Sequence, residues 1–186
     1  MSKDHHEIHF EDYITEKLVN QGWLEGKPAN YDKQRALYTE DVIEWIKATQ
    51  PEVWTKLVKL NGSSAEIILL DRLAKGLASK GTIETLRNGF KIAGAGEISM
   101  GQKAPEDDRN EKVNKKYKEN RLRVVRQLKY CPTREWEIDL VFFINGLPVA
   151  TVELKTDFTQ SAELAVKQYK EDRFPLIQKQ SVKSLY

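Results

Sequence analysis

The sequence has 186 residues, of which 40% are hydrophobic and 31% charged, and its formal net charge is +2. This length fits about one domain with a real hydrophobic core, and the small net charge argues against a protein that binds every polyanion. Cys131 is the single cysteine, which excludes an internal disulfide and fits a reducing compartment. The first residues lack the apolar segment of a secretory signal, and no apolar run reaches the length of a membrane helix. We therefore expect a cytoplasmic protein without membrane association.

Helical periodicity dominates the first half of the chain. The three histidines at positions 5, 6 and 9 are expected in a disordered terminus before the first helix. A capping box at Ser63–Glu66 is expected to open the longest helix. We interpret residues 1–88 as a helical part packed on the core. The apolar spacing predicts helices over residues 11–22, 40–49, 52–60, 63–79 and 82–87.

The second half of the chain is predicted to contain strands and a long loop. Residues 88–93 predict a first strand, and the polar, glycine-containing stretch 94–118 predicts a mobile loop. Residues 137–144 (EIDLVFFI) then indicate a strand and residues 147–155 (LPVATVELK) its partner. The Asn-Gly pair between them is the strongest short hairpin signal. Because the first strand carries four consecutive apolar residues, we expect its sheet to be covered on both sides.

Three charged side chains of this hairpin can share one face. Glu153 and Lys155 are two residues apart on one strand, so they point to the same side. Regular pairing through a two-residue loop would oppose Asp139 to Val152, away from Glu153. A three-residue loop, or a β-bulge, shifts the pairing by one residue and brings Asp139, Glu153 and Lys155 together. We predict the shifted arrangement, because bulges are common beside active sites.

An acid, a second acid after thirteen residues and a lysine two positions later have the spacing of a metal-dependent phosphodiester nuclease. Two carboxylates hold Mg²⁺ through hard oxygen ligands, and the ion acidifies a bound water. A lysine stabilises the transition state or orients that water. Asp139, Glu153 and the backbone carbonyl of Leu154 are therefore candidate metal ligands, and Lys155 is the candidate catalytic cation. The alternative is a surface hairpin with an ordinary salt bridge, since isolated matches to this pattern are frequent.

Neighbouring segments strengthen the nuclease interpretation. Residues 120–130 (NRLRVVRQLKY), 137–148 (EIDLVFFINGLP) and 152–155 (VELK) closely resemble the N-terminal nuclease region of type I restriction enzyme R subunits. The likeness extends upstream to Phe10-Glu11 and Gly22-Trp23, and downstream into a helix over 162–173. It implies an α/β fold, with a PD-(D/E)xK restriction-endonuclease-like core over 89–186. Such a core has a mixed central sheet flanked by helices, here after a helical N-terminal region.

The resemblance also implies an activity and partners. Such a domain uses Mg²⁺ to cut unmodified double-stranded DNA, inside a complex with methylase and specificity subunits. ATP is used by motor domains whose motifs are absent from this chain. We therefore expect an N-terminal fragment of a larger subunit. We also expect little or no cleavage by the fragment alone, because the family cuts when translocation stalls in the assembled complex.

Further site residues follow from the resemblance. Gln168 matches the glutamine of the family's Gln-x-x-x-Tyr element, although Asp172 stands at the tyrosine position and Tyr169 directly follows the glutamine. A solvated helix residue is the alternative for Gln168. Glu11 matches an acid that related nucleases place near the metal on the first helix. By itself, Glu11 suits a first-turn acid that stabilises that helix.

A basic segment precedes the acidic hairpin. Residues 103–129 contain ten Lys or Arg against five Asp or Glu. Such a flank suits contacts with a DNA backbone, and a solvated charged loop is the equal alternative. The candidate DNA contacts are Lys115, Lys116, Arg121, Arg123 and Arg126.

Three classes of function remain open at this point. The first is the nuclease domain of a type I restriction enzyme. The second is a stand-alone PD-(D/E)xK nuclease of DNA repair or defence. The third is a non-catalytic docking module of the restriction complex, which the combined Asp139, Glu153 and Lys155 set argues against.

Overall fold

The computed structural model describes residues 5–107 and 109–154, with side chains from residue 8 onward. Among these residues, no helix is both long and apolar enough to cross a membrane. The helices and strands occur in the order α1 (His5–Asn20), β1 (Leu24–Gly26), α2 (Thr39–Thr49), α3 (Pro51–Asn61), α4 (Ala65–Lys80), α5 (Thr82–Asn88), β2 (Phe90–Ile92), β3 (Gly96–Ile98), α6 (Glu111–Lys118), β4 (Leu122–Lys129), β5 (Glu137–Ile144) and β6 (Leu147–Val152).

A mixed four-stranded sheet organises the fold, in the order β1-β4-β5-β6. β1 runs parallel to β4, whereas β4, β5 and β6 are antiparallel neighbours. Helices flank this sheet, so the predicted α/β class with a mixed central sheet is confirmed. β2 and β3 form a separate antiparallel pair.

Both faces of β5 are covered, as its continuous apolar sequence predicts. Phe142 contacts Trp23 edge-on, with ring centroids 5.6 Å apart. Phe143 is fully buried and lies 5.9 Å from Tyr31 and 5.8 Å from Tyr38 between centroids. Adjacent strand residues point to opposite faces. Aromatic rings from the segments beside β1 therefore pack on the two sides of this strand.

The N-terminal part is not purely helical, because β1 lies in the main sheet. Leu24 pairs with Arg123 and Gly26 with Val125. Gly26 is required for this close approach, since a Cβ there would lie 2.7 Å from Val125 Cγ2 and 2.8 Å from Arg123 Cδ. The boundary expected at residue 88 therefore does not separate the helical part from the sheet.

The helices α2 to α5 build a second hydrophobic core. Their bounds agree with the apolar periodicity within about one residue at most ends. The capping box expected at Ser63–Glu66 is wrong, because the N-cap residue of α4 is Ser64 and not Ser63, and the Ser64 side chain makes no cap hydrogen bond. The fully buried apolar side chains of this core include Val42, Trp45, Ile46, Leu57, Leu69 and Leu73.

Two expectations of disorder are wrong. α1 begins at His5, so the expected disordered terminus is helical there, and Glu11 lies beyond the first turn. The stretch 94–118 contains β3 and α6 instead of a continuous loop. Asn110 caps α6, since its side-chain oxygen accepts from Val113 N at 3.2 Å. This cap and the Lys and Glu residues that follow it favour a helix.

Candidate active site

The β5–β6 hairpin positions the two candidate acids. Its loop is the two-residue Asn145-Gly146 turn, since Ile144 pairs with Leu147. Both turn residues have positive φ, 50° and 83°, as a type I′ turn requires. Asn145 is fully buried, and its side chain accepts from Arg121 N at 2.7 Å and donates to Met100 O at 2.9 Å. The turn is therefore held both by the residue that precedes β4 and by the segment that follows β3.

A β-bulge then shifts the register by one residue. Phe143 pairs with Pro148, but Phe142 pairs with Ala150, which leaves Val149 as the extra residue on β6. The pairing continues regularly to Leu140 and Val152. Continued by one step beyond the last observed pair, this register sets Asp139 opposite Glu153, and opposed residues of an antiparallel pair share a face. The predicted bulge is thus present, in combination with the two-residue loop.

A direct contact holds Asp139 to the end of β6. Its side chain is 7% exposed, and Oδ2 accepts a hydrogen bond from Leu154 N at 2.7 Å. Glu153 and Leu154 follow the last residue of β6 and are half-buried. A hydrogen bond of this kind fixes the orientation of the carboxylate. The aspartate is therefore oriented toward the strand that carries the second acid.

Glu11 lies on α1, against β4 of the main sheet. It is 1% exposed, and Gln127 Nε2 of β4 donates to Glu11 Oε2 at 3.2 Å. This burial does not fit a plain helix-stabilising acid at the surface. Gln127 was not predicted as a site residue, because nothing in its residue type reveals a contact with a helix more than a hundred residues earlier.

The described residues contain no group of three or more His, Cys, Asp or Glu that could hold a metal ion. Glu11, Asp139 and Glu153 are all described, so these three acids do not form such a group together. The smaller set expected from the sequence, two carboxylates and one backbone carbonyl, is compatible with this finding. Lys155, Gln168 and Tyr169 lie outside the described residues.

The candidate DNA contacts divide into two groups. Lys115 is exposed and Lys116 half-buried on α6, and Lys116 Nζ lies 5.8 Å from the ring centroid of Trp45. The three candidate arginines, two on β4 and one just before it, instead make ion pairs with acids of the same domain. Arg121 and Arg123 bind Asp41, and Arg126 binds Asp12 and Glu25.

Arg123 does not fit a DNA-contacting position. It is 6% exposed and lies against Asp41, Tyr38 and the carbonyl of Glu25. A guanidinium that is buried and hydrogen-bonded there stabilises the fold and does not reach a phosphate backbone. We therefore leave Arg123 out of the proposed DNA contacts.

The mixed sheet, its flanking helices and the opposed acids define an α/β domain with a nuclease-like core. The family model described as type I restriction enzyme R protein N terminus matches residues 10–181. The chain belongs to this family. No curated protein and no solved structure matches the chain.

Proposed function

We propose that this chain is the Mg²⁺-dependent DNA endonuclease domain of a type I restriction-modification system. It hydrolyses phosphodiester bonds of unmodified double-stranded DNA within a complex that contains methylase and specificity subunits. One observation supports this most strongly, namely the Val149 bulge that sets Asp139 opposite Glu153. Membership in the R subunit family provides the biological setting.

The donor atoms at this position suit Mg²⁺. Two carboxylates and the Leu154 carbonyl are hard oxygen donors, the kind that Mg²⁺ prefers. Asp139 is 7% exposed, and burying a carboxylate is unfavourable unless hydrogen bonds and a nearby cation compensate. When bound, the ion would neutralise charge on the scissile phosphate and lower the pKa of an attacking water.

Each of the candidate site residues has a separate role in metal binding or catalysis. The Leu154 amide holds the Asp139 carboxylate in place through Oδ2. Glu153, the residue directly after β6, provides the second carboxylate. Lys155 lies two residues further along the chain, and we propose that its ammonium group contacts the phosphate and orients the water. We propose that Gln168 also contributes to this site. Tyr169, which follows it in the chain, is a weaker candidate for the same role.

The proposed DNA-binding surface of the domain carries exposed Lys and Arg side chains. Lys115 on α6 is exposed, and Arg126 is partly exposed beside Asp12 and Glu25. We propose that Lys115, Lys116, Arg121 and Arg126 contact the DNA backbone without reading sequence. Charge reversal at Lys115 should weaken DNA binding and reduce its salt dependence, because one phosphate contact is lost.

The test uses the full R subunit assembled with its methylase and specificity partners. Asp139→Asn, Glu153→Gln and Lys155→Ala should each abolish restriction of unmodified plasmid and leave ATP hydrolysis unchanged. The matched control is Glu97→Gln, because Glu97 is an exposed acid of the small β2–β3 pair that binds Lys91. This variant should restrict normally.

The outcomes separate the competing functions. If the Asp139 and Glu153 variants still cut DNA, the domain is a docking module of the complex and the proposal fails. If the chain alone cuts DNA rapidly with Mg²⁺, it is a stand-alone nuclease. Weak or absent cutting by the chain alone, together with restriction by the assembled complex, supports the type I assignment.

A further inference from the structure

Three positions lie side by side across the main sheet near the candidate site. Asp139 on β5 has Glu153 on one side, through the shifted register of β6. On its other side lies Gln127 of β4, because the pairs Arg126–Leu140 and Leu128–Ile138 bracket the Gln127–Asp139 position. Gln127 is therefore a neighbour of the candidate metal ligand.

The backbone of Gln127 is unusual at this position. Its φ is +49°, in the left-handed region, within a strand. Glutamine rarely adopts this conformation, and side chains other than glycine are strained there. Strained residues inside regular structure persist when surrounding contacts enforce them, and they concentrate at functional sites. The contact that Gln127 makes is with Glu11.

Glu11 and Gln127 form a buried polar link between α1 and the sheet. Glu11 is 1% exposed and accepts from Gln127 Nε2 at 3.2 Å. Thr15 lies one turn later on the same face of α1, is 4% exposed, and its Oγ1 has no hydrogen-bond partner within the part of the chain that the structure describes. Helix and sheet thus meet through polar groups here, although most helix–sheet interfaces are apolar.

We propose that Gln127 is a positioning residue of the active site, which holds the buried Glu11 carboxylate beside the Asp139–Glu153 pair. The three acids do not form a metal-binding group by themselves, so the role assigned to Glu11 is to shape the surroundings of the site and not to bind the ion directly. Residues that orient and charge the surroundings of a metal site commonly change its affinity about 10–100-fold when mutated. This inference rests on the proposed function.

The primary test is Mn²⁺ binding to the 186-residue chain, followed by electron paramagnetic resonance titration. Gln127→Asn is the informative variant, because asparagine tolerates positive φ well but its amide is one methylene shorter. It keeps the backbone conformation and withdraws the donor from Glu11. Gln34→Asn is the matched control, because Gln34 is exposed.

We expect Gln127→Asn and Glu11→Gln each to raise the Mn²⁺ dissociation constant about tenfold, with little change in Tm. The double variant should bind no more weakly than either single variant, because both changes break the same link. Gln34→Asn should bind as the unaltered chain does. In the assembled complex, Gln127→Asn should raise the Mg²⁺ concentration that gives half-maximal cleavage.

Two results would overturn the inference alone. One is an unchanged dissociation constant in Gln127→Asn while Asp139→Asn abolishes binding. The other is a fully additive effect in the double variant. Failure of the unaltered chain to bind Mn²⁺, or binding that survives Asp139→Asn, would instead overturn the proposed metal site and this inference with it.

Discussion

Arg123 and Asp41 form a two-pronged ion pair in the interior of the domain. The Arg123 Nε–Asp41 Oδ2 distance is 2.6 Å, and the Nη2–Oδ1 distance is 2.8 Å. The two side chains are 7% and 0% exposed. The guanidinium also lies 4.2 Å from the centroid of the Tyr38 ring and donates to Glu25 O at 3.1 Å. One side chain of β4 thereby joins α2 and β1.

Removing the acid of this pair should destabilise the domain strongly. We expect Asp41→Ala to lower the free energy of unfolding by about 3–5 kcal/mol, because it leaves a buried guanidinium without its counter-charge. Urea denaturation measures this. Glu40→Ala is the control, since Glu40 is half-exposed and lies 3.9 Å from the same arginine; its effect should stay within about 0.5 kcal/mol. An equal effect of the two variants would contradict the buried pair.

Inserting one alanine after Val149 should disable cleavage without unfolding the chain. Val149 is already the extra residue of the bulge, so a further residue moves the rest of β6 one step along β5 and turns Asp139 and Glu153 to opposite faces. Plasmid restriction by the assembled complex and circular dichroism of the chain measure the two effects. Deletion of Val149 is the control and should retain cleavage, because regular pairing from the turn then still opposes Asp139 to Glu153. Normal restriction by the insertion variant would refute the importance of the register.

The Asn145-Gly146 turn should tolerate no side chain at its second position. A Cβ on Gly146 would lie 2.5 Å from Tyr38 O and 2.5 Å from Val42 Cγ2. A substitution at Gly146 would destabilise the protein through both backbone strain and a steric clash. Gly96 is the control for backbone strain alone, because its φ is +110° but a Cβ there meets nothing within 4 Å. We expect Gly96→Ala to cost about 1–2 kcal/mol from its backbone alone. Gly146→Ala should cost about 1–3 kcal/mol more from the steric clash, as measured by thermal denaturation.

Asp32 should make stability depend on pH in the acid range. Burial raises the pKa of Asp32, but the hydrogen bonds and charge of Arg35 outweigh it, so the net pKa lies below its usual value. A carboxyl with a lowered folded pKa stabilises the protein above its unfolded pKa, near 4, and this contribution is lost as pH falls through the folded pKa.

The variant Asp32→Asn should therefore lower stability at neutral pH and weaken its decline in acid. Urea denaturation between about pH 7 and pH 3 measures both effects. Asp71→Asn removes the other acid that binds Arg35, at a more exposed position, and should have the smaller effect. If the free energy of unfolding of Asp32→Asn fell with decreasing pH as steeply as that of the unaltered chain, this role would be contradicted.

The hairpin was predictable because its signals are local. The Asn-Gly turn and the apolar run give the bounds of β5 directly, and the observed strand is Glu137–Ile144. The bulge was predicted from chemistry, since the acids need a common face, and not from a signal in the sequence around Val149. The helices α2 to α5 followed from periodicity for the same local reason.

Other features depend on partners distant in the chain. β1 is a three-residue strand, Leu-Glu-Gly, with no pattern of its own, and only pairing with β4 makes it a strand. The burial of Arg123 required Asp41, which lies 82 residues earlier. The link between Glu11 and Gln127 spans 116 residues. In contrast, α6 was missed although Asn110 supplies a recognisable helix cap.

The pairing of β1 with β4 has a consequence for folding. Leu24 and its partner Arg123 are separated by about a hundred residues, so the edge strand has nothing to pair with while a ribosome is still making the helices between them. Long-range contacts of this kind slow folding, because a large loop must close first. During synthesis, the first segment of the chain must wait for β4 to emerge. Co-translational assembly therefore begins with the helical core, and the sheet that carries the acids is completed last.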